Sequence, residues 1–404
     1  MHSLSLPRTL FLTERQPHIA RLTPDDVAFL LEHHRGRLEV LPTGRRDYYR
    51  LTALGCAGIL VAPTCHLVIR PKVPWANIFA MIDPLADIVG ENDRIAPEKG
   101  TEILAFLAGQ LARRMAERVA AGLHRAYRKC REQGTVLHGR LDVSAQLREA
   151  PGRKDRLHSQ YDDWSADLPC HRVVKATAEA LMTLPLLNAE VRVALQRALA
   201  GFTGVSSLPL SARLWDAIEA ERLPAEYRPL LDLCRLLADS LLLNGAAGNT
   251  LAPGFLLDLE RVFEMHVTRG LVEVIAQDRN HTVAIQKRHT VHEPVADLPD
   301  ITMRPDLTIE REGRTVWGID AKWKRLPGNA ETTDLYQVLA YGAALGAAGV
   351  VLVYPGKRWK CREYPFTHTP LRLMLCTLQV GGTRAACMRS VRSLARTLKS
   401  MLPA

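Results

Sequence analysis

Two short runs of β-branched, aliphatic and aromatic residues lie close together near the C-terminal end of the chain. They are Leu307-Thr308-Ile309 and Thr315-Val316-Trp317-Gly318-Ile319, and the link between them contains a glycine. Such residues favour strands, and a short glycine-containing link favours a hairpin. Asp306 precedes the first run and Asp320 follows the second, so the predicted hairpin brings two carboxylates to the same end.

The residues after the second run extend this pattern. Successive side chains of an extended chain point to opposite faces, so Asp320, Lys322 and Lys324 share one face. Ala321 and Trp323 share the other face. The end of the hairpin is therefore predicted to hold a carboxylate next to ammonium groups.

This combination is suited to chemistry on a phosphodiester. Mg²⁺ takes oxygen ligands, so the carboxylates of Asp306 and Asp320 together with a substrate phosphate can complete its shell. A nearby lysine, here Lys322, can hold a water or offset charge that develops on phosphorus. Taken singly, Pro-Asp is commonly a turn and Asp-x-Lys a surface ion pair. Their joint occurrence on paired strands is far more specific.

Upstream of the hairpin, apolar residues recur at helical spacing over residues 256–277. Glu264 lies beside this apolar stripe. Its carboxylate could be a solvated flank, a partner for Arg261, or a third carboxylate at the metal site. The hairpin downstream favours a role at the site.

Downstream of the hairpin, residues 331–345 are predicted to be a helix and residues 350–354 a buried strand. Gln337 and Tyr341 are four apart and so share one face of that helix. The simpler alternative is that Tyr341 packs while Gln337 is solvated. The order helix, strand, strand, helix, strand predicts an α/β core with the acidic pair at the strand ends.

Three motifs together carry a family resemblance: Pro305-Asp306, Asp320-Ala321-Lys322 and Gln337-x-x-x-Tyr341. They resemble the PD-(D/E)xK nuclease superfamily and, more closely, the McrC-type nuclease subunits of McrBC modification-dependent restriction systems. The resemblance implies a restriction-endonuclease-like α/β core. The roles it implies are catalysis by Asp306, Asp320, Lys322 and Gln337, metal binding by Asp306, Asp320 and Glu264, and DNA contacts by Lys324 and Tyr341.

The resemblance also implies a partner. McrC-type subunits act with an AAA+ GTPase ring in type IV, modified-cytosine-dependent restriction of phage DNA, and they stimulate its GTP hydrolysis. The chain has no G-x-x-x-x-G-K-[ST] segment, since Gly356-Lys357 lacks both the upstream glycine and the following hydroxyl. GTP would therefore be bound by the partner, whereas this chain would use Mg²⁺ and DNA that is methylated.

Charge agrees with a polyanionic substrate. The chain has 53 Lys and Arg against 43 Asp and Glu, a formal net charge of +10, which favours nucleic acid. Residues 111–131 are predicted to be a basic helix, either a solvated face or a contact to DNA or the partner. Residues 383–402 are predicted to be a terminal amphipathic helix docked on the core.

Length predicts more than one domain. We expect a β-rich, partner-binding N-terminal module (residues 1–90), a mainly helical middle that contacts partner or DNA (residues 91–248), and a nuclease domain (residues 249–404). The first module should contain a helix capped by Thr23 and strands near residues 48–49, 58–61 and 67–69. Residues 1 to about 245 should then suffice to bind and stimulate the GTPase.

The eight cysteines form no C-x-x-C pair, so most are expected to be buried reduced thiols. No apolar run approaches the length of a membrane span and the N-terminus is not a signal peptide, so we expect a cytoplasmic protein without membrane contact.

Two other functional hypotheses remain open at this stage. One is a free-standing DNA repair or recombination nuclease, which would cut without GTP. The other is a non-catalytic, DNA-binding subunit that activates the ring. The complete set of Asp306, Asp320 and Lys322 argues against the second hypothesis.

Overall fold

The computed structural model describes residues 8–82, 101–149, 152, 155–219, 223–242, 254–278, 280–291, 301–326, 332–366 and 368–402. This part of the chain is a mixed α/β protein that forms two compact units. The first unit is Met1–Glu102 with Asp239–Ala404, and the second is Ile103–Ala238. The first unit therefore merges the predicted N-terminal module with the predicted nuclease domain. The predicted boundaries near residues 90 and 248 lie outside the described residues.

The elements follow one another in three groups. The N-terminal group is β1 (Arg8–Thr13), β2 (His18–Arg21), α1 (Pro24–His33), β3 (Leu38–Pro42), β4 (Tyr48–Ala53), β5 (Cys56–Val61), β6 (Cys65–Arg70) and α2 (Trp75–Ile82). The middle group is α3 (Thr101–Ala120), β7 (Ala126–Gly134), β8 (Arg140–Leu141), α4 (Val143–Glu149), β9 (Leu157–Ser165), α5 (Pro169–Met182), α6 (Ala189–Ala200), α7 (Ala212–Glu219), a 3₁₀ turn (Ala225–Tyr227) and α8 (Arg228–Leu242).

The C-terminal group begins with a strand and ends with a helix. It is β10 (Gly254–Asp258), α9 (Leu259–Ile275), β11 (His281–Ile285), β12 (His289–Thr290), β13 (Thr302–Met303), β14 (Leu307–Arg311), β15 (Arg314–Ala321), α10 (Thr332–Leu345), β16 (Gly349–Gly356), β17 (Lys360–Pro365), β18 (Arg372–Gln379) and α11 (Arg384–Lys399).

The N-terminal group forms two small sheets around a shared apolar core. Their strand orders are β1-β6-β5-β10 and β2-β4-β3, and Leu12, Leu51 and Leu67 are among the fully buried residues between them. The predicted strands and the capped helix are confirmed: the Thr23 hydroxyl accepts from the Asp26 N–H, and the Asp26 carboxylate accepts from the Thr23 N–H. These reciprocal bonds satisfy donors that a helix start leaves free.

The strand β10 corrects the prediction of a helix from residue 256. Residues 254–258 pair with β5, and the helix begins only at Leu259, where the Asp258 side chain caps it. Gly58 makes this pairing close: its φ is +145°, and a Cβ there would lie 2.0 Å from the Phe255 carbonyl oxygen. Residues 254–257 are all buried, so this strand shows no alternation and its short apolar run cannot be told from a buried helix by its pattern.

A six-stranded mixed sheet forms the core of the C-terminal group. Its order is β11-β14-β15-β16-β18-β17, with β15, β16 and β18 parallel to their neighbours in this set and the outer pairs antiparallel. The predicted hairpin and the predicted buried strand are confirmed as β14–β15 and β16. The helix expected over residues 331–345 is α10, with residue 331 outside the described part. The strand β11 was not predicted.

Helices cover this sheet and complete its core. Val338 of α10 packs with Val350, Leu352 and Tyr354 on one face of β16. The predicted terminal helix is confirmed as α11, which Thr383 caps and which packs on α9 and β18. Gly270 of α9 allows close packing, because a Cβ there would lie 2.4 Å from a methyl group of Val391.

The second unit contains helices and the three-stranded antiparallel sheet β7-β9-β8. The predicted basic helix over residues 111–131 is wrong in its second half. The helix α3 ends at Ala120, Gly122 adopts a φ of +84°, and residues 126–134 form a strand paired with β9 along its length. Here the tertiary pairing outweighs local helix propensity. Arg128 of this strand binds Asp167, so part of the basic charge is paired.

Most cysteines agree with expectation. Cys56, Cys65, Cys170, Cys234 and Cys387 are free and buried, and Cys130 is free and half-buried. Cys361 and Cys376 face each other on β17 and β18 and form a disulfide, which was not predicted. In the described part of the chain, no helix is both long enough and apolar enough to cross a lipid bilayer.

Side-chain contacts join the N-terminal and C-terminal groups within the first unit. The indole Nε1 of Trp323 donates to Glu14 Oε1 over 2.9 Å, and the Asn77 amide donates to the carbonyl oxygens of Val380 and Gly382 over 3.0 and 3.1 Å. Both Glu14 and Trp323 are fully buried at the side chain or nearly so. For residues 1 to about 245 to suffice for binding and stimulating the GTPase, as predicted, the N-terminal group would have to fold without these contacts.

We predict that a chain ending near residue 245 will not fold its N-terminal sheets. It loses the strand β10 and the partners of Glu14 and Asn77, so a sheet edge and buried polar groups become exposed. The measurement is the dispersion of amide signals in NMR spectra of the truncated chain and the full chain. Well-dispersed signals from residues 8–82 in the truncated chain would refute the prediction.

His34 provides a prediction about pH and stability. Its side chain is 2% exposed, and burial, with a smaller contribution from His33, lowers its pKa from 6.5 to about 4. The unfolded chain therefore binds a proton at a higher pH than the folded chain. The free energy of unfolding is therefore unaffected by His34 above pH 6.5 and falls as the pH decreases towards 4. The loss is about 2 kcal/mol by about pH 5.

We expect His34→Gln to reduce the loss of unfolding free energy between about pH 7.5 and about pH 5 by roughly this amount. Urea denaturation at the two pH values measures it. His33→Gln is the matched control, since His33 is adjacent and only half-buried. Equal losses in the His34 variant and the unmodified chain would show that the pKa of His34 is the same in the folded and the unfolded chain.

Candidate active site

The two carboxylates of the predicted hairpin meet at one end of β14 and β15. Asp306 immediately precedes β14, and Asp320 is the second-last residue of β15. Leu307 pairs with Ile319 in the register of the hairpin, which brings Asp306 opposite Asp320. The Ala321 N–H donates to Asp306 Oδ2 over 2.9 Å and fixes that carboxylate against the neighbouring strand.

Asp320 and Lys322 form a buried ion pair. The Asp320 side chain is 1% exposed, and its Oδ2 lies 2.8 Å from Lys322 Nζ. Among the residues that the structure describes, none donates a hydrogen bond to Asp320 Oδ1. The Lys322 N–H donates to the Val353 carbonyl oxygen over 2.8 Å, which holds the lysine beside β16. Asp320 thus combines burial with an unused oxygen, an arrangement that is costly without a further positive partner.

Burial, with a smaller contribution from neighbouring carboxylates, raises the pKa values of the acidic side chains at this site. Burial, followed by the charges of Glu264 and Asp320, raises the pKa of Asp306 to about 8. Burial also raises the pKa of Asp320, against the opposing charge of Lys322. Burial lowers the pKa of Lys322, but the ion pair with Asp320 outweighs it and leaves this pKa raised. The site therefore favours an additional cation.

Glu264 approaches the pair from α9. Its Oε2 accepts from Arg261 Nη1 over 3.1 Å and from Gln286 Nε2 over 3.2 Å. The predicted pairing with Arg261 is present, and the carboxylate is also close enough to affect the pKa of Asp306. Burial raises the pKa of Glu264, with Arg261 opposing.

Gln286 is a site residue that the sequence did not indicate. Its N–H donates to the Asp306 carbonyl oxygen over 2.9 Å, and its amide reaches Glu264. Arg304 in turn donates to the Gln286 carbonyl and side-chain oxygens, each over 2.9 Å. Gln286 has a φ of +46°, an uncommon conformation for a residue other than glycine. It links the Glu264 carboxylate to the backbone of Asp306, yet no motif identifies an isolated glutamine.

The helix α10 places Gln337 and Tyr341 on a shared face. Gln337 Nε2 donates to the Tyr341 hydroxyl over 2.8 Å. The Tyr341 Cβ lies 4.0 Å from the position of a Cβ on Gly318, so the helix packs directly on β15. Burial raises the pKa of Tyr341, and the charges of Asp320 and Asp306 act in the same direction.

Lys324 lies one step further from the carboxylate pair than Lys322. Its Nζ is 2.9 Å from Asp334, whose second oxygen accepts from the Tyr354 hydroxyl over 2.7 Å. Lys324 thus holds the first turn of α10 against β16. Its predicted DNA contact stays a prediction, and its ammonium already has a carboxylate partner.

The donor set fits a hard divalent cation held by two carboxylates. Asp306 and Asp320 provide oxygen atoms, one of them buried and without a donor, and Mg²⁺ typically uses one or two carboxylates. Within the described residues, no three His, Cys, Asp or Glu side chains converge into a complete metal cluster. Glu264 is directed to Arg261 and Gln286 instead.

Two solved structures from Thermococcus gammatolerans are similar to the chain. One is a refined half-complex from a tetradecameric assembly of McrB AAA+ hexamers with bound McrC, matched at 17% identity and a TM-score of 0.47 over 98% of this chain and 100% of that chain. The other is a McrBC complex, matched at 18% identity and a TM-score of 0.40 over 67% of this chain and 89% of that chain. Among curated proteins, none matches.

A family comparison gives a more direct result. Residues 51–355 match the family described as McrBC 5-methylcytosine restriction system component. The matched segment includes Glu264, Asp306, Asp320, Lys322 and Gln337. The chain belongs to this family of McrBC 5-methylcytosine restriction system components.

Proposed function

We propose that this chain is the Mg²⁺-dependent DNA endonuclease of its restriction system, with a PD-(D/E)xK core formed by α9, β14, β15, α10 and β16. The observation that carries the proposal is the buried Asp320 carboxylate, paired with Lys322 and adjacent to Asp306, at the end of a strand hairpin. Asp320 has an oxygen without a donor among the described residues. A site of this kind is suited to a cation and a phosphate.

The side chains divide the work of phosphodiester hydrolysis. When bound, Mg²⁺ polarises the scissile phosphate and lowers the pKa of a water. Asp306 and Asp320 hold the cation, the Ala321 N–H orients the Asp306 carboxylate, and Gln286 links Glu264 to the Asp306 backbone. The Lys322 ammonium, held by Asp320, orients the attacking water or offsets the charge that develops on phosphorus. Gln337 and Tyr341 border the site on α10 and contact the DNA.

GTP enters this function only through a partner. The sequence lacks a phosphate-binding G-x-x-x-x-G-K-[ST] segment, so nucleotide hydrolysis belongs to an AAA+ GTPase subunit. We propose that this chain joins that ring in the cytoplasm, stimulates its turnover, and cuts methylated DNA in defence against phage.

Two pairs of exposed apolar side chains in the second unit support a protein contact. Val143 and Leu147 on α4 are 56% and 69% exposed. Tyr127 and Trp164 on β7 and β9 are also exposed, and their ring centroids lie 4.8 Å apart. Apolar side chains grouped at a surface commonly mark an interaction site. We assign these two pairs of side chains to the GTPase contact.

We predict that Asp320→Asn and Lys322→Gln each lower the rate of cleavage of methylated plasmid by at least about 10²-fold, because each removes a charge that the transition state needs. The assay contains Mg²⁺, GTP and the cognate GTPase, and an unmethylated plasmid is run in parallel. Glu312→Gln is the matched control: it removes a carboxylate at the opposite end of the same hairpin.

The same assay separates the proposed function from its rivals. Cleavage by Asp320→Asn at the unmodified rate would show that the active site lies elsewhere. Cleavage without GTPase and GTP would identify a free-standing nuclease. Stimulated GTP hydrolysis with no cleavage by the unmodified chain would identify a non-catalytic, ring-activating subunit.

For the partner contact, we predict that Val143→Ser with Leu147→Ser reduces stimulation of GTP hydrolysis at least about tenfold, because a loss of about 1.4 kcal/mol in binding gives this factor. Stimulation is measured against chain concentration. Val193→Ser, at an exposed position of α6, is the control and should stimulate normally. Unchanged stimulation by the double variant would exclude this surface as the GTPase contact.

A further inference from the structure

A groove of about 1150 Å³ lies at the C-terminal ends of β15 and β16. This volume exceeds the roughly 300–1000 Å³ of small-molecule pockets. The lining includes six cationic side chains and no acidic one: Lys72, Arg325, Lys357, Arg358, Lys360 and Arg362. We name these residues the basic groove. Its composition indicates an extended polyanion rather than a small ligand.

The charge of the basic groove is largely uncompensated. Lys72 is half-buried and 3.7 Å from Glu14. The other five cations are exposed, and within the described residues none of them forms an ion pair. Five unpaired positive charges along one surface produce a field that attracts and retains phosphates.

The edge strand β17 presents part of the groove as a regular row. Lys360, Arg362 and Tyr364 alternate along the strand and so point to one face. Tyr364 is 40% exposed. In such a row the cations can contact phosphates, and the exposed aromatic ring at its end can contact a sugar or a base.

The sheet register relates this row to the active site. Arg362 pairs with Leu375, Leu375 with Leu352, and Leu352 with Asp320. Residues paired across adjacent strands share a face, so Arg362 lies on the same face as Asp320, three strands away. At about 4.8 Å per strand, the two backbones are about 14 Å apart, which corresponds to about four nucleotides of one DNA strand at 3.4 Å each.

A second connection runs through the chain itself. Arg325 of the groove follows Lys322 by three residues. Lys72 lies 4.5 Å from the centroid of the Trp323 ring, so the floor of the groove rests on the residue next to Lys322. The groove and the active site therefore share one segment of backbone.

We propose that the basic groove binds the sugar–phosphate backbone of the DNA duplex beside the scissile phosphate and so sets the position of the duplex on Asp306 and Asp320. This inference rests on the nuclease function proposed above. The contacts are to phosphates, so the groove fixes register and carries no sequence preference. An acidic surface of the partner GTPase is the competing occupant, and the position of the row on the same face of the sheet as Asp320 favours DNA.

The test is binding of a fluorescein-labelled DNA duplex by the full chain, followed by fluorescence anisotropy in EDTA so that no cleavage occurs. Lys360→Gln with Arg362→Gln should weaken binding at least about tenfold at about 0.1 M salt and reduce the slope of log K against log[salt] by about 1 to 2. Arg311→Gln with Arg314→Gln is the control, since it removes the same charge from the turn end of the β14–β15 hairpin, opposite Asp306 and Asp320. The control should bind as the unmodified chain does.

The outcomes distinguish this inference from the proposed function. Equal loss of binding in both double variants would show a general charge effect and overturn the inference. Normal DNA binding by the groove variant with loss of GTPase binding would assign the groove to the partner and also overturn it. If the groove variant binds DNA weakly while the unmodified chain never cleaves, the groove stands and the nuclease function fails. If Asp320→Asn alone abolishes cleavage while the groove variant binds normally, the nuclease function stands and the inference fails.

Discussion

The buried contact between Glu14 and Trp323 connects the parts of the first unit on which the candidate active site depends. Glu14 directly follows β1, whereas Trp323 directly follows Lys322. Burial raises the pKa of Glu14, and Lys72 and Arg15 oppose this effect. On its other side, Trp323 packs against Phe263 of α9, with ring centroids 5.5 Å apart. A hydrogen bond to a charged group typically contributes about 1.5–3 kcal/mol, so this contact fixes the segment that carries Lys322.

The candidate active site concentrates acidic side chains. Its three carboxylates, Glu264, Asp306 and Asp320, lie near two cations: Lys322 binds Asp320, and Arg261 binds Glu264. The surrounding hydrogen bonds hold the acidic residues in place without neutralising their charge. The Ala321 N–H holds the Asp306 carboxylate, and Gln286 links the Asp306 backbone to Glu264. Such local imbalance persists only where the scaffold enforces it, and it commonly marks a site that acts on a ligand.

Sequence reasoning located the elements whose signals are local. The hairpin, the buried strand β16, the Thr23 cap and the terminal helix each depend on residues within a few positions of one another. The aspartates that flank the two predicted strands were sufficient to predict that Asp306 and Asp320 lie together. Elements that depend on distant pairing were missed: β10 needs β5, and β7 needs β9.

Two parts of the candidate site fall between these cases. Gln286 gives no sequence signal, because its role follows from a backbone conformation and from neighbours on α9 and β14. The row Lys360, Arg362 and Tyr364 does alternate with period two, which is a strand pattern, but its relation to Asp320 exists only in the register of four strands. The local sequence pattern shows which side chains form the row, and the sheet register shows that the row and Asp320 share one face.

The position of β10 in the chain has a consequence for the order of folding. The strand completes the N-terminal sheet only after the whole of Ile103–Ala238 has been synthesised, because it follows that unit in sequence. During translation the second unit can form its own contacts first, at a time when β10 is not yet available to pair with β5. Closing so long a loop is slow compared with local folding. The nascent chain therefore cannot complete the N-terminal sheet, or bury Glu14 against Trp323, until most of the sequence has been synthesised.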